Sequence, residues 1–460
     1  MAKTQDMTKG NIFKLLITFA VPIILTYFLQ YAYNAADSLM VGRFCDGNAL
    51  ASVGTSEPVC NILITFFLGI GSGASVVVAR AFGAGDNKGV FKAVHTSIAI
   101  SIACGLTVSL LGVFGAPVIL RLLNTDAAIF DGSVLYMRIY FIGGLFNIVY
   151  NIGAGILRAV GDSKHPLMFL VISALANVVL NYLLIAIIPL GVAGAAIATI
   201  ASQFLSSFLV ILTLVRSRDV HRLFIKDIGF DKEKLKAILK IGVPTGLQGM
   251  VISLSNVIIQ AYINDMGAAA TAGSTAASKV DNFILMFTQS ISLALMTFAS
   301  QNFGAGNEKR AKKGLTVALV LAAGIMLVFG SVISIFREDV VSLFVEKNDP
   351  NIDEIIYYGS VKVFFVSTFY FIHAFSDNFS AFLRAKGKAI VPMITYMLTM
   401  CLFRILWVTV LRNVIPFVDG DSAGSLFAVY PLSFVLTITL LLSYYLISSY
   451  IEKKKKKPEE

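Results

Sequence analysis

The chain has 460 residues, of which 57% are hydrophobic and only 14% are charged, and its mean hydropathy is +0.80. Soluble domains carry about 25% charged residues, and no globular core absorbs so much apolar sequence. The composition therefore excludes a soluble protein and predicts an integral membrane protein.

The net charge of +10 lies in short loops and at the chain ends. Basic residues fill the connector 216–240 near the midpoint, and the chain closes with "IEKKKKKPEE". Cations that flank apolar segments set the orientation of a membrane protein. We interpret the charge as a topology signal and expect no nucleic-acid partner.

Motifs of enzymes are absent from the sequence. It contains no GxSxG, no GxxxxGK[ST] and no HExxH, and its four cysteines lack metal-site spacing. We therefore expect neither an enzyme nor a cofactor. The first apolar run is long and lacks a small-residue cleavage site, so we also expect no cleaved signal peptide.

Twelve apolar segments are each long enough to cross a membrane. They are predicted near residues 13–40, 57–80, 92–115, 134–157, 166–189, 193–215, 237–263, 279–301, 314–336, 356–383, 390–411 and 424–451. Basic and acidic loops alternate between them, with the basic loops on the side of both termini. This pattern predicts a multi-pass protein of the bacterial plasma (inner) membrane whose N- and C-termini are cytoplasmic.

The two halves of the chain repeat each other. "FKLLITFAVP" matches "LKAILKIGVP" at an offset of roughly 222 residues, which places Asn34 on Asn256. "ARAFGAGDNKG" matches "SQNFGAGNEKR", "GILRAVGDSKHP" matches "AFLRAKGKAIVP", and "VAGAAIA" matches "SAGSLFA". Four blocks in the same order indicate a duplication.

The repeat predicts an all-α integral membrane fold of twelve transmembrane helices in two six-helix lobes. The predicted lobes and their flanks are an N-lobe 1–215, a basic cytoplasmic connector 216–235, a C-lobe 236–452 and a basic cytoplasmic tail 453–460. Because six is even, both lobes enter the membrane in the same sense. They should be related by a pseudo-two-fold axis along the membrane normal, with a cavity between them.

A polar stripe runs along the first predicted helix. Gln30, Asn34 and Asp37 are spaced i, i+4 and i+7, on one face. A charge at mid-bilayer costs at least roughly 2.5–3.5 kcal/mol, so such a residue usually has a function. A proton, a Na⁺ ion or a cationic substrate could each neutralise Asp37. The alternative is a structural aspartate near a wet helix end, packed against Arg43.

Polar residues of the fifth predicted helix, Ser173, Asn177 and Asn181, share the spacing i, i+4 and i+8 and could face this stripe. We predict cation coupling at Asp37, Asn34, Asn177 and Asn181. Oxygen ligands from Asp37, Asn177 and Asn181 would also suit Na⁺. Asparagines that merely hold membrane helices together are the other reading.

The C-lobe offers His373 and Asp377 at i and i+4, followed by Ser380 and Arg384. Histidine could relay protons, or the group could be a structural ion pair at a helix end. Arg404 lies at membrane depth in "TMCLFRILWVTVL", where a cation needs either a partner or the cavity, and the sequence identifies no partner.

Aromatic side chains can bind flat cations and methionines offer a deformable surface. The predicted substrate-binding residues combine such side chains with polar ones. They are Gln30, Tyr33, Asn256, Gln260, Met286, His373 and Asp377.

Several motifs together give the chain a family resemblance. "NAADSLMVGRF" ends the first helix, the FGAG and LRA-x-G loops are paired, and "NVVLNYLLI" lies in the fifth helix. In these features the chain resembles a multidrug and toxic compound extrusion (MATE) transporter, closer to DinF-like and MepA-like members. The resemblance implies a cation-coupled antiporter that expels amphipathic cations through alternating access.

The resemblance carries over residue by residue. The family's first-helix aspartate corresponds to Asp37, and its fifth-helix Asn-x-x-x-Asp is here Asn177 and Asn181, so an amide replaces the second carboxylate. The helix-seven acidic residue of NorM-like members has no counterpart: this chain offers Gln248 and Asn256 there.

The sequence thus predicts a secondary active efflux antiporter that exchanges amphipathic organic cations for H⁺ or Na⁺. Its expected partners are small cationic substrates and the lipid bilayer, and we expect a monomer. A flippase for lipid-linked oligosaccharide or polysaccharide is the alternative, although it would need several cavity cations. A channel or a structural protein is the third reading.

Overall fold

The structure is a computed structural model that describes residues 4–45, 47–346, 348–411 and 422–455. Nearly all of these residues are helical and none of them forms a strand. The acidic loop around 417–421 and the tail beyond residue 455, both used in the predicted topology, lie outside the described residues.

The first half of the chain forms seven helices within the described range. They are α1 (Ile12–Phe44), α2 (Gly47–Gly83), α3 (Asn87–Leu122), α4 (Ala127–Ile142), α5 (Gly144–Ala159), α6 (Lys164–Asn181) and α7 (Gly191–Arg216). A π-helical segment, Tyr182–Ile187, continues α6. Side chains of Asn11, Asp86 and Asp126 cap α1, α3 and α4 by accepting hydrogen bonds from backbone N–H groups.

The second half follows the same order with more interruptions. Its helices are α8 (Lys232–Asn264), α9 (Ala268–Gly304), α10 (Glu308–Ile335), α11 (Arg337–Ser342), α12 (Ile352–Ser367), α13 (Tyr370–Ala385), α14 (Ile390–Tyr396), α15 (Phe403–Leu406), α16 (Ser422–Phe427) and α17 (Val429–Lys455). Two π-helical segments, Met397–Leu402 and Trp407–Leu411, flank α15.

Among the described residues, ten helices or continuous helical runs are long and apolar enough to span a membrane. Two further spans are bent pairs: α4 with α5 at 43°, and α12 with α13 at 48°. Counting each pair once yields twelve spans, and each one overlaps a predicted segment. The all-α, twelve-span membrane fold is confirmed.

Irregularities recur at matching places in the two halves. Each half bends its fourth span, and each carries π-helical turns in its fifth span. Such π turns often occur at functional sites because they shift side chains relative to the regular helix. The duplication seen in the sequence therefore extends to local backbone geometry.

The chain divides into two compact units. Unit 1 comprises residues 1–250 and 297–311, and unit 2 comprises residues 251–296 and 312–460. The lobes predicted from the repeat, 1–215 and 236–452, and the axis relating them stay a prediction.

Glycines of the two FGAG loops explain why this motif is repeated. A Cβ atom on Gly83 would collide with the backbone of Gln301, and one on Gly304 would collide with the backbone of Arg80. The last glycine of each loop, Gly85 or Gly306, has a positive φ of 67° or 72° that favours glycine. The first glycine of the motif thus allows two helices to approach closely, and the last glycine adopts the left-handed backbone conformation that ends the helix.

The N-terminal segment bonds to residues that lie beside an FGAG loop and in an LRA-x-G loop of unit 1. The backbone N–H of Met7 donates to Gln301 Oε1 at 2.8 Å, and Gln301 Nε2 donates to the carbonyl of Ala159 at 2.9 Å. The N–H of Gln5 bonds to the carbonyl of Val160 at 3.1 Å. An FGAG loop and an LRA-x-G loop therefore lie at the same end of unit 1 as the N-terminus.

The connector after α7 packs on the start of α3. The N–H of Phe224 donates to His95 Nε2 at 3.0 Å, and Lys92 Nζ lies 2.8 Å from Asp231 Oδ2. The Lys92 ammonium and the backbone N–H groups of the first turn of α8 hold the pKa of the Asp231 carboxyl below its usual value.

Substituting Gly83 by alanine is expected to destabilise unit 1, because the added methyl group meets backbone that cannot rotate away. Overpacking of this kind costs roughly 1–3 kcal/mol. Thermal unfolding of the purified protein in detergent measures the effect. Gly54→Ala in the same helix is the control, since among the described residues its added Cβ meets no atom within 4 Å apart from its chain neighbours and its own turn of helix. Equal unfolding midpoints for the two variants would contradict the close-approach role.

Candidate functional site

The carboxylate of Asp37 on α1 bonds to the fifth span of its half. The side-chain Nδ2 of Asn181, the last residue of α6, donates to Asp37 Oδ1 and also to Asn177 Oδ1, the latter at 2.8 Å. Both asparagines are fully buried, whereas Asp37 is half-buried. The structure thus joins three of the four predicted coupling residues in one chain of polar contacts.

Hydroxyl groups from α1 and α7 complete this cluster. Asn177 Nδ2 lies 3.4 Å from the Tyr33 hydroxyl and 3.5 Å from Ser202 Oγ. Tyr33 in turn interacts with Asp37 and with Thr199. We call this group the Asp37 site: Tyr33 and Asp37 of α1, Asn177 and Asn181 of α6, and Thr199 and Ser202 of α7.

The structure also describes the other predicted polar residues of the first and fifth spans. Gln30 is half-buried and Asn34 is exposed on α1, while Ser173 bonds to the carbonyl of Leu170 in its own helix at 3.1 Å. Within the described residues no ion pair joins Asp37 to Arg43, and both the coupling role and the structural role of Asp37 stay predictions. Ser202 and Thr199 were missed, because one serine or threonine among many gives no sequence signal.

Oxygen atoms and neutral donors dominate the Asp37 site. Asn181 Oδ1 is buried and has no hydrogen-bond partner among the described residues. The described part of the chain gathers no group of three His, Cys, Asp or Glu side chains. The site therefore offers one carboxylate with amide and hydroxyl oxygens, a set that suits H⁺ or Na⁺ rather than a transition metal.

In unit 2, Asp377 pairs with an aromatic neighbour as well as with the predicted histidine. The hydroxyl of Tyr396 donates to Asp377 Oδ1 at 2.9 Å, and His373 Nδ1 lies 3.7 Å from Asp377 Oδ2. The His373 ring packs edge-on against Phe434, with ring centroids 4.9 Å apart.

Arg404, for which the sequence identified no partner, lies between the two π turns of the eleventh span. Its Nε donates to Ser433 Oγ at 3.0 Å and its Nη1 to Asn256 Oδ1 at 3.3 Å. The guanidinium carbon lies 4.8 Å from the ring centroid of Tyr430 and 6.0 Å from that of Phe434. Asn256 thus has a defined role beside a buried cation.

A second buried cation, Lys362 on α12, was missed by the sequence analysis. Its Nζ donates to the carbonyl and Oγ of Ser274 at 3.1 and 3.0 Å and to Ser278 Oγ at 2.7 Å. Asp281 on α9 is buried within electrostatic range of Lys362 and bonds to Tyr370. A lysine inside an apolar segment was the available signal.

Two further predicted substrate-binding residues, Gln260 and Met286, lie on α8 and α9. Gln260 Nε2 donates to Asn264 Oδ1 at 2.9 Å along α8, and Met286 is a buried side chain of α9. A role in substrate binding stays a prediction for both.

The comparisons with known proteins agree with this fold. The MatE family model matches residues 22–183 and 244–409, one segment in each half. The probable multidrug resistance protein YoeA of Bacillus subtilis is 28% identical over 98% of this chain and 96% of its own length. The probable multidrug resistance protein NorM of Thermotoga maritima is 26% identical over 83% of this chain and 82% of its own, and an FAD transporter of Shewanella oneidensis is 26% identical over 77% and 78%.

Solved structures share the whole fold. A crystal structure of MATE in complex with MaL6 covers 98% of this chain and 100% of its own, with a TM-score of 0.89 at 22% identity. An outward-facing multidrug resistance MATE transporter covers 100% of both chains with a TM-score of 0.88 at 21% identity.

Apolar spans that carry polar groups inside them, as in the part of the chain that the structure describes, are typical of a membrane transporter and not of an enzyme. The match of both halves to one family model makes the assignment specific: the chain belongs to the MatE (MATE) family of transporters.

Proposed function

We propose that this protein is a secondary active multidrug efflux antiporter that exports amphipathic organic cations in exchange for H⁺ or Na⁺ by alternating access. The observation that carries the proposal is the Asp37 site. A carboxylate on a membrane-spanning helix is bonded there by neutral amide and hydroxyl groups and by no cation among the described residues. Its negative charge is therefore available to a mobile cation.

Competition for this one carboxylate would couple two fluxes. A proton converts Asp37 into a neutral acid, a Na⁺ ion compensates its charge, and a cationic substrate does the same from the cavity side. Since each occupant excludes the others, loading of the ion would release the substrate. We place cation coupling at Asp37, Asn34, Asn177 and Asn181, and substrate contacts at Gln30, Tyr33, Asn256, Gln260, Met286, His373 and Asp377.

Either coupling ion is compatible with the oxygen set. A proton needs only the carboxyl group. Rotating the Asn181 side-chain amide by half a turn would exchange its nitrogen for the unpartnered Oδ1 and present that oxygen toward Asp37. Asp37, Asn177 and Asn181 would then offer oxygens to Na⁺.

The names of relatives support drug export, since YoeA and MepA are named as multidrug resistance and multidrug export proteins. The flippase alternative finds no such support among them. We place the protein in the bacterial plasma membrane as a monomer, with both termini in the cytoplasm. The basic LRA-x-G loop of unit 2 supports this topology, because Lys386 and Lys388 both pair with Glu452 near the C-terminal end of α17.

Ion-gradient transport in liposomes tests the proposal. The full chain is reconstituted, and movement of ethidium is followed by fluorescence under an imposed pH gradient and, in the same preparation, under an imposed Na⁺ gradient. Transport that depends on one gradient would support antiport and identify the ion. Ethidium movement equal to that of protein-free liposomes under both gradients would overturn the function.

A further inference from the structure

Unit 2 contains a counterpart of the Asp37 site. At the offset of the first repeat block, in which Pro22 matches Pro244, Asn34 corresponds to Asn256 and Asp37 to Ile259. The two LRA-x-G blocks are related by an offset that is four residues larger. At that offset Arg404 corresponds to Val178 of the fifth span. The carboxylate is thus replaced by a hydrocarbon, and a cation stands on the facing helix.

Three equivalent spans build both sites. In unit 1 the first, fifth and sixth spans contribute Asp37, Asn181 and Ser202. In unit 2 the same spans of the repeat contribute Asn256, Arg404 and Ser433. Each fifth span places its polar residue next to a π turn. The arrangement is duplicated, but the sign of the buried charge is opposite.

Among the described residues, only neutral groups bond to the buried guanidinium of Arg404. The side chain is 4% exposed, and both of its hydrogen bonds go to neutral oxygen atoms, so further N–H donors of the guanidinium have no acceptor among the described residues. The ionisable groups around it include the phenols of Tyr430, Tyr370 and Tyr396, the thiol of Cys401 and the imidazole of His373. No carboxylate of the described residues forms an ion pair with it.

Aromatic rings shape the surroundings of this cation. Beyond the contacts of Tyr430 and Phe434 with the guanidinium, the Phe434 ring stacks on Tyr370 at 6.0 Å and meets His373. Flat apolar faces next to a charged donor group suit a planar ring that carries an anionic substituent.

We propose that Arg404, with Asn256 and Ser433, forms an anion-binding subsite in unit 2 that takes the carboxylate of an aromatic carboxylate compound. Pairing of a guanidinium with a carboxylate supplies charge-assisted and often bidentate hydrogen bonds, and it compensates a cation buried at membrane depth. The subsite goes beyond cation export, because a purely cationic substrate has no group for it. It adds aromatic zwitterions and anions to the ligands of this protein.

The chain has one tryptophan, Trp407, three residues after Arg404 on the same span, and it reports on binding there. The probe is 9-anthracenecarboxylate, which accepts energy from tryptophan, and the matched probe is its uncharged carboxamide. Both are titrated into the purified full chain in detergent. We expect the carboxylate to bind at least about tenfold more tightly than the carboxamide, a difference of roughly 1.4 kcal/mol.

Arg404→Gln should remove this preference and Arg404→Lys should retain part of it, since lysine keeps the charge without the planar fork. Arg218→Gln, at an exposed position, is the control and should bind as the wild type does. Thermal unfolding of each variant shows that it is folded, and the comparison of the two probes on the wild type needs no variant.

Equal binding of the two probes by the wild type would overturn the subsite, as would an undiminished preference in folded Arg404→Gln. An anionic lipid headgroup offers the same oxygen chemistry, so a further arm adds phosphatidylglycerol or phosphatidylcholine. Displacement of the probe by phosphatidylglycerol alone would assign Arg404 to a lipid and overturn the aromatic ligand. Because no ion gradient is applied, these outcomes are independent of coupling at Asp37.

Discussion

Asp37→Asn is expected to abolish ethidium export under the gradient that drives the wild type, with a loss of at least about tenfold, the change that roughly 1.4 kcal/mol of lost interaction produces. Asparagine has nearly the shape of aspartate and can still accept a hydrogen bond from Asn181. What it loses is the negative charge and the ability to bind a proton. The measurement is the initial rate of ethidium movement in liposomes at equal protein content.

Asp265→Asn is the matched control for this variant, because it removes an exposed carboxylate from the turn between α8 and α9. Its transport should equal that of the wild type. Thermal unfolding midpoints within about a degree of each other would show that Asp37→Asn is folded. Wild-type transport in a folded Asp37→Asn protein would remove coupling from this site and direct the search to His373 and Asp377.

Lys362→Met is expected to lower the free energy of unfolding by roughly 3 kcal/mol, the upper end of the cost of leaving a buried polar group without its partner. The substitution leaves the carboxylate of Asp281 buried without its neighbouring cation and removes the donor to Ser274 and Ser278. The loss should appear as a lower thermal unfolding midpoint of the purified protein in detergent.

Adding Asp281→Asn to Lys362→Met should restore most of the lost stability, because no uncompensated charge then stays buried. Lys313→Met, at an exposed position of α10, is the control and should leave the unfolding midpoint unchanged. If the double variant is as unstable as Lys362→Met alone, the lysine acts through packing and its serine contacts rather than through the charge of Asp281.

The membrane-spanning helices were predicted correctly, because hydropathy is a property that local sequence carries. A helix crosses the membrane because its own residues are apolar over a sufficient length, so all twelve spans could be found without knowing their neighbours. The FGAG repeat was also visible, but its reason was not. Only the structure shows that Gly83 and Gly304 allow two helix ends to approach.

The Asp37 site was predicted in part for the same physical reason. An aspartate in an apolar helix is conspicuous because placing its charge inside the membrane costs free energy. The i, i+4 spacing placed Asn177 and Asn181 on one face of their helix. The hydroxyl of Ser202 carries no such cost, since a serine can bond to its own helix, and nothing in its spacing shows that it faces Asn177.

By itself, the sequence determined that this chain is a duplicated twelve-span membrane protein with rare charges inside its helices. The tertiary structure decided which groups those charges meet: Asp37 meets Asn181 and Tyr33, Lys362 meets two serines, and Arg404 meets Asn256. Partners on different helices depend on how the helices are rotated and where their π turns fall. Those quantities result from packing along the whole span, so no short stretch of sequence contains them.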